Sequence, residues 1–152
     1  MGFLARLFGA SAAERDLLAE LLEDYRAEAA QAAHLRQHAD LARYPQVAKL
    51  LRDLAEIEDR HAAMLRDRIL GMGGGIPPVA PAPLAGRNQW ERAVAARRAA
   101  QEKRRRLIEH VTHWDPEEPA AAKLLARIYD EDGTALSAYD DVVIRSDPHA
   151  LD

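Results

Sequence analysis

Val47-Ala48-Lys49-Leu50-Leu51-Arg52-Asp53-Leu54-Ala55-Glu56-Ile57-Glu58-Asp59-Arg60-His61-Ala62-Ala63-Met64-Leu65 is the stretch that decides the fold. Val47, Leu50, Leu51, Leu54, Ile57, Met64 and Leu65 recur at spacings of three and four, which is the period of one helical face. Glu58 and His61 fall on that same apolar face. Pro45 can open a helix but not sit inside one, and Gly71-Met72-Gly73-Gly74-Gly75 ends it. A helix is therefore predicted from Pro45 or Gln46 to Leu70. A carboxylate and an imidazole at i, i+3 project one turn apart and can share a metal ion. Such pairs are common on polar faces. The apolar seam gives this one weight, because a lone buried carboxylate is costly unless paired or metal-bound.

Upstream, Ser11 and Glu14 form a capping box that opens a helix from Ala12 to about Ala42. Its seam reads Leu18, Leu21, Tyr25, Glu28, Ala32, Leu35, Ala39 and Ala42. The break at Arg43-Tyr44-Pro45 turns the chain back. Counting outward at ~1.5 Å per residue puts Glu28 level with His61, with Glu58 about a turn away. Downstream, Pro77, Pro78, Pro81 and Pro83 mark an extended connector over 76–87. At ~3.1 Å per residue, a dozen such residues span ~35 Å, the length of a long helix. The next helix, from about Asn88 to Thr112, can thus begin at the far end. Trp90, Val94, Ala100, Leu107, Ile108 and Val111 mark its apolar side, with Arg97, Gln101 and Arg104 on the same face. Asp115-Pro116-Glu117-Glu118-Pro119 is a second tight turn. A fourth helix follows from Pro119 to Ile144, with a seam of Leu124, Leu125, Ile128, Asp132, Ala135, Leu136, Tyr139 and Val142. Two hairpins joined by one long crossover make an all-α four-helix bundle. The organisation expected is a short N-terminal segment at 1–10, the bundle at 11–145 with its linker at 71–87, and a tail at 146–152.

The formal net charge of −4, with both signs interspersed, gives no support to nucleic-acid binding. The one basic run, Lys103-Arg104-Arg105-Arg106, reads as a solvated helix face or a partner patch. The absence of Cys removes disulfides and thiolate metal sites. No apolar run reaches the ~20 residues of a membrane span. Phe3, Leu4, Leu7 and Phe8 share one face of the N-terminal segment. That segment reads as an anchor to a membrane surface or larger complex, or as a flap on its own bundle. A cytoplasmic location, alone or peripheral to a membrane, is the expectation, and a two-fold homodimer the default assembly.

Ala48-Lys49-Leu50-Leu51 recurs as Ala122-Lys123-Leu124-Leu125, offset by 74, and Pro45 maps to Pro119. With the Pro45 turn, the Leu51-x-x-Leu54 run into Glu58-x-x-His61 and the Gly-rich helix end, the chain resembles the rubrerythrin and ferritin-like superfamily. The resemblance implies iron held between a Glu on each of two helices and an E-x-x-H on each of the other two. It also implies iron oxidation, or peroxide or dioxygen reduction. Glu28, Glu58 and His61 are then the implied ligands of the first half, although gapless family spacing puts Tyr25 at the first position. The second half departs from the pattern. Glu58 maps to Asp132 and Glu28 to Glu102, but His61 maps to Ala135. Glu102 and Asp132 are the expected second-half ligands, with Gln101 and Glu131 behind them.

A rival reading stays open. Arg97 and Arg104 flank Gln101 and could neutralise Glu28, Glu58 and Asp132 without a metal. The bundle would then be an inactive structural or interaction subunit. His34 and His38, an i, i+4 pair, read as part of a solvated face.

Overall fold

The computed structural model describes residues 9–80, 83–147 and 149. The proposed anchor at Phe3, Leu4, Leu7 and Phe8 lies outside them, as do Pro81 of the connector and most of the tail. Four helices follow in order: α1 (Ala12–Leu41), α2 (Pro45–Gly71), α3 (Gln89–Trp114) and α4 (Pro119–Ile144). Each begins where local chemistry requires. Ser11 accepts from the Glu14 N–H while the Glu14 carboxylate accepts from the Ser11 N–H, and Asn88 caps α3 by accepting from Glu91 N–H. Pro45 and Pro119 open α2 and α4, where a missing N–H costs nothing. Gly73, at φ 82°, ends α2: the Gly73 N–H donates to Leu70 O and the Gly74 N–H to Ile69 O.

Two apolar layers fix the helix directions. One joins Leu35 and Ala39 of α1, Val47, Leu51 and Leu54 of α2, Ala93 and Ala100 of α3, and Tyr139 and Val142 of α4. The other joins Leu17 and Leu21, Leu65 and Ile69, Leu107 and Trp114, and Leu125 and Ile128. Thus α1 and α4 run one way and α2 and α3 the other. α1 packs on α2 and α3, and α4 on α3 and α2. The chain between Gly71 and Gln89 must then return along the length of the bundle. No helix among the described residues is long and apolar enough to cross a membrane.

The predicted seams of α1, α2 and α4 coincide closely with the buried faces. That of α3 holds at Ala100 and Leu107 but is off by one residue at Val94, Gln101, Arg104 and Ile108. Gln89, Ala93, Ala100, Lys103, Leu107 and Trp114 are buried, whereas Val94 is half-buried and Gln101 and Ile108 are exposed. Small Ala side chains face the neighbouring helices, and the bulkier Val94 and Ile108 lie toward the periphery. His38 is also corrected: it is buried at 1% exposure, not solvated. Asp24 is buried too. Its Oδ2 lies 2.7 Å from Nδ1 of His110, and Nε1 of the buried Trp114 donates to Glu20 at 2.6 Å, tying α1 to α3.

Candidate metal centre

Between the two apolar layers lies a layer of ionisable side chains. α1 contributes Glu28, α2 contributes Glu58 and His61, α3 contributes Lys103 and α4 contributes Asp132, and all five are at most 5% exposed. Glu28, Glu58, His61 and Asp132 can each offer a donor atom within 4.8 Å of the others'. They are the one such group found among the described residues. The first-half residues inferred from sequence therefore meet, and Asp132 joins them from the other hairpin.

Lys103 was not expected there. Its Nζ donates to Glu28 Oε2 at 2.7 Å and to Glu58 Oε2, and lies 3.4 Å from Asp132 Oδ2. Burial opposes the charge on Lys103, but the Glu28, Glu58 and Asp132 carboxylates outweigh it and hold its pKa above the ordinary lysine value. Lys103 was read from the sequence as part of a solvated basic run. Its place between Ala100 and Leu107, at spacings of three and four, is the signal that could have found it.

The other second-half candidates are elsewhere. Glu102 is exposed and pairs with Arg105 at 3.1 Å, because it sits one residue, about 100° of helix, away from the buried Lys103. Gln101, two residues and about 200° of helix from Lys103, is exposed as well. Arg97 pairs with Asp140 near the surface, and Arg104 lies over the Tyr129 ring at 3.9 Å and donates to Tyr129 O at 3.1 Å. Neither Arg neutralises the cluster. Gly133 makes room for Arg104, since a Cβ there would lie 2.7 Å from a guanidinium nitrogen. Tyr25 packs half-buried against the apolar layer that contains Leu21, one turn from Glu28.

Both nitrogens of His61 face carboxylates. Nε2 lies 2.8 Å from Glu131 Oε2, and Arg127 Nε in turn donates to Glu131 Oε1 at 3.0 Å. Nδ1 lies 3.1 Å from Asp132 Oδ1 and 3.7 Å from Glu28 Oε2. An ionised carboxylate only accepts. Nδ1 must therefore carry a proton or share a cation with those oxygens. Burial would lower the His61 pKa, but Asp132 and Glu28 outweigh it and push it up to about 10. Burial pushes Glu28 up to about 7, helped by Glu58 and opposed by His61 and Lys103.

The far side of the cluster is fixed by Tyr139, whose hydroxyl donates to Glu58 Oε1 at 2.6 Å and accepts from Gln31 Nε2 at 3.1 Å. Gln31 Nε2 also donates to Ala96 O at 3.0 Å. Burial, then Glu58, keeps the phenol protonated. Tyr139→Phe is expected to cost about 1–3 kcal/mol, the penalty of a buried Glu58 oxygen without its donor, in denaturant unfolding.

These values set a pH dependence for the metal-free protein. Glu28 and His61 both have folded pKa values above their ordinary 4.5 and 6.5. The stability from the Glu28 proton is full below about pH 4.5 and gone above about 7, and that from His61 is full below about 6.5 and lost through about 10. In chelator, Tm is expected to fall steadily between about pH 5 and pH 10.

Two metal ions do not fit these residues: α3 presents an ammonium where a carboxylate would be needed, and α4 presents Ala135 where a second His would be. One ion fits. Glu28 Oε1 is buried without a hydrogen-bond partner, and His61 Nδ1 and the two Asp132 oxygens have only ion-pair contacts within the cluster, although all belong to the four-residue donor group.

The family model for rubrerythrin matches residues 21–131 of the chain, from within α1 to the middle of α4. Among solved structures, the chain is similar to a mycobacterial bacterioferritin at 22% identity, with a TM-score of 0.74 over 83% of this chain and 81% of that one. BfrA from M. tuberculosis matches at 21% identity with the same TM-score and coverage. No curated protein sequence matches. The structural matches establish the four-helix bacterioferritin-like fold, and the family match, covering most of the length, shows that the chain belongs to the rubrerythrin family.

Proposed function

We propose that this protein is a ferritin-like metal-binding protein whose centre takes one metal ion per chain, iron being the metal that the family suggests. The observation that carries this is His61. Its Nε2 is tied to Glu131, which leaves Nδ1 facing Asp132 and Glu28, and an imidazole that ligates a metal typically donates its other N–H to a carboxylate in this way. Glu28, Glu58 and Asp132 would supply hard oxygen ligands beside it, a donor set suited to a divalent first-row ion. Bound iron would supply one-electron redox chemistry. Glu131 orients His61, Tyr139 and Gln31 hold Glu58 in place, and the two apolar layers keep bulk water from the centre.

Iron oxidation, or peroxide or dioxygen reduction, by a pair of ions is not the reading these residues support, because the second half-centre has neither a buried carboxylate on α3 nor a His on α4. The test is iron content per chain after anaerobic loading, measured by native mass spectrometry; retention of no metal would defeat the proposal.

A second reading, a metal-free structural or interaction subunit, is favoured by one observation: Lys103 and a protonated His61 balance Glu58 and Asp132 without an ion when Glu28 keeps its proton. On either reading a two-fold homodimer is the proposed assembly, supported by the frequency of such dimers alone.

A further inference from the structure

We infer that Lys103 is a built-in second cation of this centre, which limits it to one divalent metal ion per chain. The inference rests on the one-ion reading above. The hairpins repeat at an offset of 74, with Pro45 matching Pro119 and Glu58 matching Asp132. Glu28 of α1 and Lys103 of α3 reach the same point between them, with Nζ 2.7 Å from Oε2. The same offset pairs Glu28 with the exposed Glu102, and it is Lys103, one residue on, that brings an ammonium to the cluster instead.

That ammonium engages one oxygen each of Glu28, Glu58 and Asp132. Glu28 Oε1 is left without a hydrogen-bond partner, and Asp132 Oδ1 and His61 Nδ1 face each other at 3.1 Å with no other hydrogen-bond partner. The leftover donors suffice for one ion. The charges agree. One ammonium and one divalent ion offset three carboxylates when His61 is neutral, whereas a second divalent ion would leave a buried excess of positive charge, which a low-dielectric interior penalises heavily. Lys103 is covalently tethered and 3% exposed, so a second ion could enter only by expelling it from the core.

The experiment compares full-length wild type, Lys103→Gln and Lys103→Met. Each is stripped with chelator and titrated with Zn2+, with stoichiometry read by native mass spectrometry and affinity by competition with a chromophoric chelator. The expected result is one Zn2+ per wild-type chain, with at least about tenfold tighter binding or a second ion in the variants, because the repelling charge is gone. Equal stoichiometry and affinity in all three would overturn the role of Lys103 and leave the one-ion reading standing. Binding by the variants but not by wild type would support Lys103 as the resident cation and sink the one-ion reading. No binding by any of them overturns both. Should the metal-free variants be unfolded by circular dichroism, recovery of helicity on adding Zn2+ supports the inference, and failure to recover it counts against it.

Discussion

Lys103→Met is expected to lower the stability of the metal-free protein by about 3–5 kcal/mol near neutral pH, the usual cost of removing one partner from a buried ion cluster. For a chain of this length that is a fall in Tm of roughly 10 °C. Methionine matches the lysine stem in length and stays apolar, so lost packing contributes little. What remains is electrostatic: Glu28, Glu58 and Asp132 lose the cation that all three approach. Glu28, whose pKa burial already raises, would hold its proton more tightly still. The gap between variant and wild type should therefore be small near pH 4 and widen as the pH rises toward 8. Thermal unfolding in chelator across that range checks both the size and the sign. By contrast, Arg105, exposed and paired with Glu102 and Glu109, should tolerate substitution by Met with a change of under about 1 kcal/mol.

His61→Ala is expected to abolish metal retention, and Glu131→Ala to weaken it by about 10–100-fold, the range for losing a partner that only orients a ligand. The two variants separate ligation from positioning. His61 offers Nδ1 to the cluster, while Glu131 touches only Nε2 on the other edge of the ring. Equilibrium dialysis against Fe2+ under anaerobic conditions measures both. Equal losses in the two variants would mean that Glu131 does more than orient the ring.

Much of this was legible in the sequence because large side chains mark most of the helix faces. On α2 the seam from Val47 to Leu65 carries Glu58 and His61 inward with no ambiguity, and the hairpin count brings Glu28 level with them. On α4 the spacing of Leu125, Ile128, Asp132 and Ala135 does the same for Asp132. α3 defeated this logic because its buried positions near the centre are Ala93, Ala100 and Lys103, while the larger Val94 and Ile108 lie beside the seam. Hydrophobicity points to the bulkier pair, and the face is misread by one residue. The same slip put Gln101 on the inward face and left Lys103 among its solvated Arg neighbours, while Glu102 came from the offset of 74 that maps it to Glu28. Spacing from Ala100 and Leu107 puts Lys103 on the buried face, but it does not say what would balance a charge there. The buried lysine becomes intelligible only once three helices are seen to bring carboxylates to one point. The rival idea of an internal cation was right in kind. The cation is a lysine on the buried seam rather than Arg97 or Arg104, which reach Asp140 and Tyr129 instead.

The most direct test of the central claim is the number of metal ions held per wild-type chain after anaerobic Fe2+ loading and removal of loosely bound metal, counted by native mass spectrometry. One ion is the expected result, lost in His61→Ala. Two ions per chain would contradict it, since they would require a second half-centre that Lys103 and Ala135 do not provide, and none would favour the metal-free reading, in which Lys103, His61 and a protonated Glu28 balance the core.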